Sequence, residues 1–407
     1  MIVEKERQIP VAGNYDVIVC GGGIAGVAAA IAAARAGAKT LLMEKMYLLG
    51  GLATSGLITV YLPICDGMGT QVSYGLAEEL LLLSVKHGEE AHPNEVKKNP
   101  WIYGGTPEER KKHRYRVRFN GNIYAILCEK LLEESGVDIL LGTSVCSAAV
   151  EDGKITAVIT ENKSGRQAYT AKSFVDATGD ADLCWQAGEN TATFRQGNVW
   201  CTWFYETGDN GYHLQVLGTC DKPDKQKTPE ELAKDTRSRY TGLDGKEISD
   251  MVCMTHTETL NSFLSRGGIT SEHALATLPT IPELRMTRRV DGLYTLDDTE
   301  MFKSFDDSIG MVSDWRRSGP VYEIPFRTLY GEKIRNLITC GRSISVTDAM
   351  WDITRVIPDC VVTGEAAGTA AAMSDDFGAM DVKILQKKLQ ENGVRLHLED
   401  VGLTATE

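Results

Sequence analysis

Apolar and small residues gather along the chain in blocks whose spacing predicts alternating strands and helices. Tyr15–Cys20 is an apolar run bounded by turn residues, the pattern of a buried parallel strand. Ile24–Ala36 follows as a helix made almost wholly of Ala and Val, and it stops at Gly37. Lys39–Glu44 reads as a second strand with a carboxylate at its end. Residues 57–85 leave a glycine turn and enter a helix whose apolar part is Leu76–Leu83. Ile123–Ser135 is amphipathic and closed by Gly136, and Val137–Gly142 is the next strand. Three short strands, about 144–150, 154–161 and 167–175, then turn at Asp152-Gly153 and Ser164-Gly165 as an antiparallel meander.

Residues 184–320 differ in kind. Trp185, Trp200, Trp203, Tyr205, Tyr212, Trp315 and Tyr322 lie in this stretch or at its edge, with few glycine-strand signals among them. A long helix, about Glu247–Ser265, stops at Gly267-Gly268; its His256 reads as a core or surface position rather than a base. Strands return at Val321–Leu329 and Ile334–Cys340. The helix Pro358–Met373, rich in Gly, Ala and Thr, is expected to pack against a cofactor, and Lys383–Gln390 closes the chain before Gly393.

The chemistry begins at the first turn. Gly21-Gly22-Gly23-Ile24-Ala25-Gly26 supplies G-x-G-x-x-G directly between strand and helix. The first glycine permits the tight turn, the second lets the backbone approach a pyrophosphate, and the third lets helix and strand pack closely. The helix N-terminus offers unpaired N–H groups and the positive end of a dipole to a phosphate. Glu44, at the end of the second strand, can accept both hydroxyls of an adenosine ribose, and its charge repels a 2′-phosphate. A second Gly-Gly, in Leu49–Gly56, suits a chain that doubles back along a pyrophosphate and ribityl arm, so FAD is favoured over NAD. Phe174–Asp180 is an apolar strand ending in Ala-Thr-Gly-Asp, small enough for backbone contact with a dinucleotide. Asp180 and Asp182 are expected to cap the helix that follows.

The order of elements predicts an α/β protein: a Rossmann-like three-layer fold of the FAD/NAD(P)-binding kind, an antiparallel β-meander and an inserted α+β substrate domain. The cofactor domain would be split, 1–184 and 321–407, around a cap at 185–320. A length of 407 residues accommodates two domains. The net charge of −13 argues against a nucleic-acid or anionic-membrane surface and for a cytoplasmic protein. Ten cysteines form no C-x-x-C pair, so metal, iron–sulfur and dithiol readings lack support and reduced thiols are expected. Met1–Pro10 has no apolar leader core, and no apolar run reaches the length of a membrane span.

Two basic clusters stand out. His113–Arg118 lies in a proline-broken excursion, residues 86–118, and reads more readily as a solvated strand edge than as an anion site. Leu284–Val290 places Arg285, Arg288 and Arg289 within five residues. In a strand Arg285 and Arg289 would share one face and Arg288 the other, and arginine suits bidentate carboxylate recognition.

Taken in order, these motifs carry a resemblance. The glycine turn with Glu44, Leu49–Gly56, Asp176–Asp180, Arg285–Arg289, Leu337–Thr347, Arg355–Pro358 and Gly364–Gly368 together resemble the bacterial FAD-dependent oxidoreductases called FAD_oxidored, a branch of the glutathione-reductase-like flavoproteins. The resemblance implies that Gly21, Gly23 and Gly26 hold the pyrophosphate and Glu44 the ribose. Gly50 and Gly51 would face the pyrophosphate and ribityl side, with Ile24, Ala25, Lys45, Leu52, Ser55 and Thr178 along the same path. Val145 would lie beside the adenine, Gly179 and Asp180 would line the cofactor, and Gly341 and Arg342 would occupy the place where relatives put Gly-Asp. Arg355, Val356 and Ile357 would approach the flavin ring. Asp348-Ala349 stands where many members carry His-Glu, so that acid-base role is absent or passes to Asp348. No Cys-x-x-x-x-Cys follows the second glycine turn, and no second full G-x-G-x-x-G is present, so electrons would come from the substrate or from a separate reductase.

The expectation is an enzyme with non-covalent FAD that exchanges a hydride with a small, anionic organic substrate. Arg285, Arg288, Arg289 and Arg355 are the candidates for substrate charge, and Tyr322 and Asp348 for proton transfer. Two alternatives stay open: a flavin-bearing subunit or binding module without independent turnover, and an NAD enzyme. The sequence sets no oligomeric state.

Overall fold

The central sheet has seven strands in the computed structural model, which describes residues 2, 6–87, 99–208, 211–219 and 222–406. Cys220 and residues 88–98 of the proline-broken excursion, among them Glu89, Glu90, Lys97 and Lys98, lie outside the described residues. The strands are β1 (Val11–Cys20), β2 (Thr40–Met43), β3 (Asp138–Leu140), β4 (Ser144–Glu151), β5 (Lys154–Asn162), β6 (Gly165–Asp176) and β7 (Leu337–Thr339). Their order is β3-β2-β1-β6-β5-β4, with β7 also paired to β6. Pairs β3–β2, β2–β1, β1–β6 and β6–β7 are parallel, while β6–β5 and β5–β4 are antiparallel. The sheet forks at β6: its first residues, Gly165–Tyr169, pair with β5, and its end, Phe174–Asp176, pairs with β7. One twelve-residue strand thus carries both the parallel sheet and the meander.

Helix α1 (Ile24–Arg35) is buried from Ile24 to Ala33. A helix with no polar stripe has to be covered all round, and its partner is α5 (Ile357–Met373), buried from Ile357 to Ala371. The small residues of α5 exist for this contact rather than for a cofactor. A Cβ on Gly364 would come within 2.3 Å of the Ala25 carbonyl oxygen, and one on Gly368 within 1.9 Å of that of Ala29. Only the first turn of α5 reaches the cavity described below. Against these helices lie α2 (Leu76–Val85) and α3 (Gly121–Glu134), whose apolar faces join the same core. The Glu365 carboxylate of α5 accepts the Leu76 N–H at 2.8 Å, pinning the start of α2.

The inserted stretch holds a hairpin, Cys201–Gly208 with Gly211–Gly218, extended by Leu275–Thr277. The helix Gly245–Ser265 is capped by Asp244 and buries Met251, Thr255, Thr259 and Phe263, one residue per turn. A second hairpin, Ser308–Ser313 with Val321–Pro325, is buried at every residue and straddles the 320/321 boundary expected from the sequence. The strand expected to run to Leu329 ends at Pro325 and tightens into a single turn, Phe326–Thr328. Of Leu284–Val290 only Arg288–Val290 is strand, paired with Thr191–Thr193. Among the described residues, no helix is long and apolar enough to cross a membrane.

Candidate functional site

The carboxyl ends of β1, β2 and β6 meet the start of α1, and there the chain leaves a cavity of about 330 Å³. Gly21 takes φ +109°, and a Cβ on it would sit 2.4 Å from the Ala177 carbonyl oxygen. Gly26 permits the close crossing of helix and turn, since its Cβ would fall 1.9 Å from the Gly21 oxygen. Gly23 has nothing within 4 Å of where its Cβ would lie, so it presents bare backbone to the cavity. Gly50 donates to the Gly22 oxygen at 2.8 Å and bridges Gly23, bringing the second glycine turn alongside the first.

Glu44 is 9% exposed, and its carboxylate accepts the N–H groups of Gly22 at 2.6 Å and Met46 at 2.8 Å. The carboxylate is thereby held at the mouth of the first turn. The opposite wall is shaped by Asp176, a fully buried carboxylate. It accepts the Thr178 N–H at 3.0 Å, the Thr178 hydroxyl at 2.7 Å and the Cys184 N–H at 2.9 Å. The Thr178 hydroxyl oxygen in turn accepts the Asp182 N–H at 3.0 Å. Asp180 and Asp182 therefore do not cap the helix Asp182–Ala187, whose N-cap is Ala181 in left-handed conformation. Asp180 accepts from the Thr287 hydroxyl at 2.6 Å, and Asp182 from Arg288 at 2.6 Å.

A dinucleotide fits this surround. Gly23 caps α1 without a side chain, leaving the first N–H groups of the helix for a ligand. Ser55 lines the cavity, and its buried hydroxyl has no partner among the described residues. Of the residues expected to hold the cofactor, Gly21, Gly23, Ile24, Ala25, Glu44, Lys45, Gly50, Gly51, Leu52, Ser55, Thr178, Gly179, Asp180, Arg342, Arg355 and Ile357 line it together. Gly26, Val145, Gly341 and Val356 do not, Val356 lining the neighbouring cavity instead. Gly26 serves packing, and a Cβ on Gly341 would press on Ala25 at 2.7 Å. Val145 lies on β4, where its carbonyl accepts from Gln186 at 3.2 Å. Sequence reading missed the cap-side lining, Gly242, Ile248, Thr280, Ile281, Pro282 and Leu284. The Thr280 N–H donates to the Ser55 oxygen at 2.8 Å, a contact between distant segments that no local pattern reveals.

A second cavity, of about 190 Å³, opens beyond the first. Leu52, Ala53, Arg342, Arg355 and Ile357 line both. The rest of its wall is Ile58, Val60, Leu62, Trp203, Arg285, Trp315 and Val356. Arg355 donates from Nε (2.9 Å) and Nη2 (2.6 Å) to Asp352 and lies over the Trp315 ring at 5.5 Å. Arg342 donates from Nη1 to the carbonyls of Leu284 at 3.0 Å and Arg285 at 2.9 Å, joining the end of β7 to the inserted stretch. Arg285 is 8% exposed and paired with Glu283 at 3.2 Å.

The other catalytic candidates lie elsewhere. Arg288 bonds the Asp180 carbonyl at 3.1 Å and Asp182, and lies over the Trp185 ring at 5.0 Å, so it braces the turn rather than facing a ligand. Arg289, on the other face of the same short strand, donates to Ser345 at 3.1 Å, and burial lowers its pKa. Tyr322 is fully buried and donates to the Asp298 carbonyl at 2.9 Å; burial pushes its hydroxyl up to about 12, so it stays protonated near neutrality, and it lines neither cavity of the site. Asp348 accepts the Arg195 N–H at 3.2 Å in a separate surface cleft with Lys225 and Asp297. The basic run is resolved by burial. Arg116 and Arg118 are exposed, whereas Arg114 turns inward and donates to the carbonyls of Asp314 at 2.7 Å and Trp315 at 2.9 Å.

A family model described as FAD dependent oxidoreductase matches residues 16–241 and 200–392. The chain belongs to this family. FAD is its cofactor, and the protein is an FAD-dependent oxidoreductase. This sets aside the NAD reading. Curated relatives include the tRNA uridine 5-carboxymethylaminomethyl modification enzyme MnmG of Streptococcus agalactiae, 29% identical over 188 residues, which are 44% of this chain and 27% of the relative. The same enzyme of Bacillus thuringiensis is 30% identical over 188 residues, again 44% and 27%. The match thus spans about a quarter of the length of these relatives. Among solved structures, a geranylgeranyl bacteriochlorophyll reductase-like protein from Thermoplasma acidophilum aligns over 95% of this FAD-dependent oxidoreductase and 86% of its own chain, at 14% identity and TM-score 0.48. The 3-ketosteroid-delta4-(5alpha)-dehydrogenase of Rhodococcus jostii aligns over 89% and 97%, at 14% identity and TM-score 0.40.

Proposed function

We propose that this oxidoreductase moves a hydride between a small anionic organic substrate and FAD, the two meeting where the cavities join. The supporting observation is the shared wall of Leu52, Ala53, Arg342, Arg355 and Ile357. The adenosine end would lie against Glu44, and the pyrophosphate between Gly23, Gly51 and the start of α1. When bound, FAD supplies a two-electron acceptor. The protein's own part is to orient and to exclude water: Leu52, Ile58, Val60 and Leu62 dry the second cavity, which strengthens any charge interaction inside it. The Arg355 Nη1 group has no partner among the described residues, so it is free to meet an anionic group on the substrate or the electron-rich edge of a flavin.

In this reading residues 1–184 with 321–407 carry the cofactor and 185–320 cover the substrate. Electrons taken from a substrate leave to a separate acceptor, and electrons given to a substrate arrive from a separate reductase. A reducing cytoplasmic setting accords with cysteines such as Cys20, Cys128 and Cys340 that are packed into the core as small apolar residues. The test begins with the visible spectrum of the purified protein and chromatography of the chromophore released by acid. Anaerobic mixing with a panel of small organic acids follows. Bleaching of the flavin band by an acid but not by its amide supports the reading; a panel in which only neutral compounds bleach it removes the anionic substrate.

A further inference from the structure

We infer that the second cavity takes a monocarboxylate carrying one aromatic ring, a substrate class that rests on the reading just given. Size comes first. About 190 Å³ exceeds the roughly 150 Å³ apolar cavity known to hold benzene, and leaves room for one ring and a short substituent. Lining comes second. Nine of the twelve lining residues are apolar, two of them tryptophans, and no carboxylate is among them. Trp315 is fixed by its Nε1–H donating to the Asp352 carbonyl at 2.8 Å and by Arg114 holding its own carbonyl, so one aromatic wall is rigid. Trp203 stands in the lining with a buried Nε1–H that has no partner among the described residues, a donor left over for an acceptor on the ligand.

Charge comes third. Arg342 spends Nη1 on two carbonyls, and Arg285 is paired with Glu283. Arg355 alone presents a guanidinium end without a partner among the described residues, which suits one anionic group and not two. An apolar body with a single charged end is the ligand such a slot completes.

Calorimetric titration of the purified holoprotein with benzoate, benzamide and acetate tests this directly. Benzoate should bind at least about tenfold tighter than benzamide, the ratio of one charge-assisted hydrogen bond, and at least about tenfold tighter than acetate, which buries no ring. Equal affinities for benzoate and benzamide, or for benzoate and acetate, overturn the assignment. Leu62→Trp fills the second cavity at a residue absent from the first, and should abolish benzoate binding while flavin content stays at the wild-type level. If Leu62→Trp expels the flavin instead, the second cavity is the seat of the flavin ring and the assignment falls. A wild-type protein that takes up no FAD defeats the hydride-transfer reading, and the heats of benzoate and benzamide still decide the cavity.

Discussion

The two adjoining cavities are built by opposite means. The first is walled mostly by backbone: glycines at positive φ or in close contact, helix N–H groups, and strand ends that stop in small residues. The second is walled by side chains, Trp203, Trp315, Arg285 and a set of aliphatics brought from segments more than a hundred residues apart. Backbone walls recognise what every dinucleotide has in common, phosphates and sugar hydroxyls. Side-chain walls can be rewritten one residue at a time without disturbing the fold. On the proposed function, the contrast separates a wall suited to holding the cofactor from one where the substrate can change.

Five substitutions would break or sharpen this contrast. Gly26→Ala should have the largest effect, because the new methyl would meet the Gly21 carbonyl oxygen at 1.9 Å, a backbone atom that no side-chain rotation can move aside. We expect a loss of about 3 kcal/mol or more in stability, with flavin content falling to near zero. Gly23→Ala makes a sharper test: the methyl has open space in the protein, so the apo melting temperature should hold while FAD affinity drops about tenfold to a hundredfold. An unchanged FAD affinity would remove the pyrophosphate from this turn.

Glu365 concerns the scaffold beneath the first cavity. Burial raises its pKa to about 8, against an ordinary 4.5, so the folded chain holds a proton there that the unfolded chain releases near neutrality. Stability from this group therefore falls as pH rises from about 4.5 to about 8, by an amount on the order of 5 kcal/mol, and is flat beyond. Glu365→Gln should remove that slope, raising the midpoint of urea unfolding at pH 8.5 more than at pH 5. On the side-chain cavity, Arg114→Ala should free Trp315 and raise KM for whatever substrate is found by about tenfold, with flavin content intact. Smallest of all, Arg288→Ala should weaken FAD by on the order of 1 kcal/mol through the loosened Asp180–Asp182 turn, and leave KM alone once FAD is saturating.

The same contrast explains what could be read from the chain. Gly21, Gly23, Glu44, Gly50, Gly51 and Thr178–Asp180 were legible because backbone sites depend on short-range spacing, and sixteen of the expected cofactor residues line one cavity. Arg288 misled because three arginines in five residues look alike in sequence, while the pairing of Arg288–Val290 with Thr191–Thr193 aims them at different partners. Tyr322 belongs to a hairpin whose every residue is buried, which no local pattern in the chain reveals. The glycines of α5 were expected at the cofactor because small residues signal close approach without saying to what; Ala25 and Ala29 of α1 are the answer. Trp203 and Trp315 carried no local pattern, and Asp176 looked like the mere end of a strand although its carboxylate organises the turn after it.

Five residues shared between two cavities also impose a thermodynamic symmetry. Whatever occupies the second cavity changes the free energy of Leu52, Ala53, Arg342, Arg355 and Ile357, which the occupant of the first also contacts. If a ligand in one raises affinity in the other tenfold, the reverse factor is also tenfold. Retention of the cofactor during dilution is then a readout of substrate-site occupancy, available before any turnover is seen.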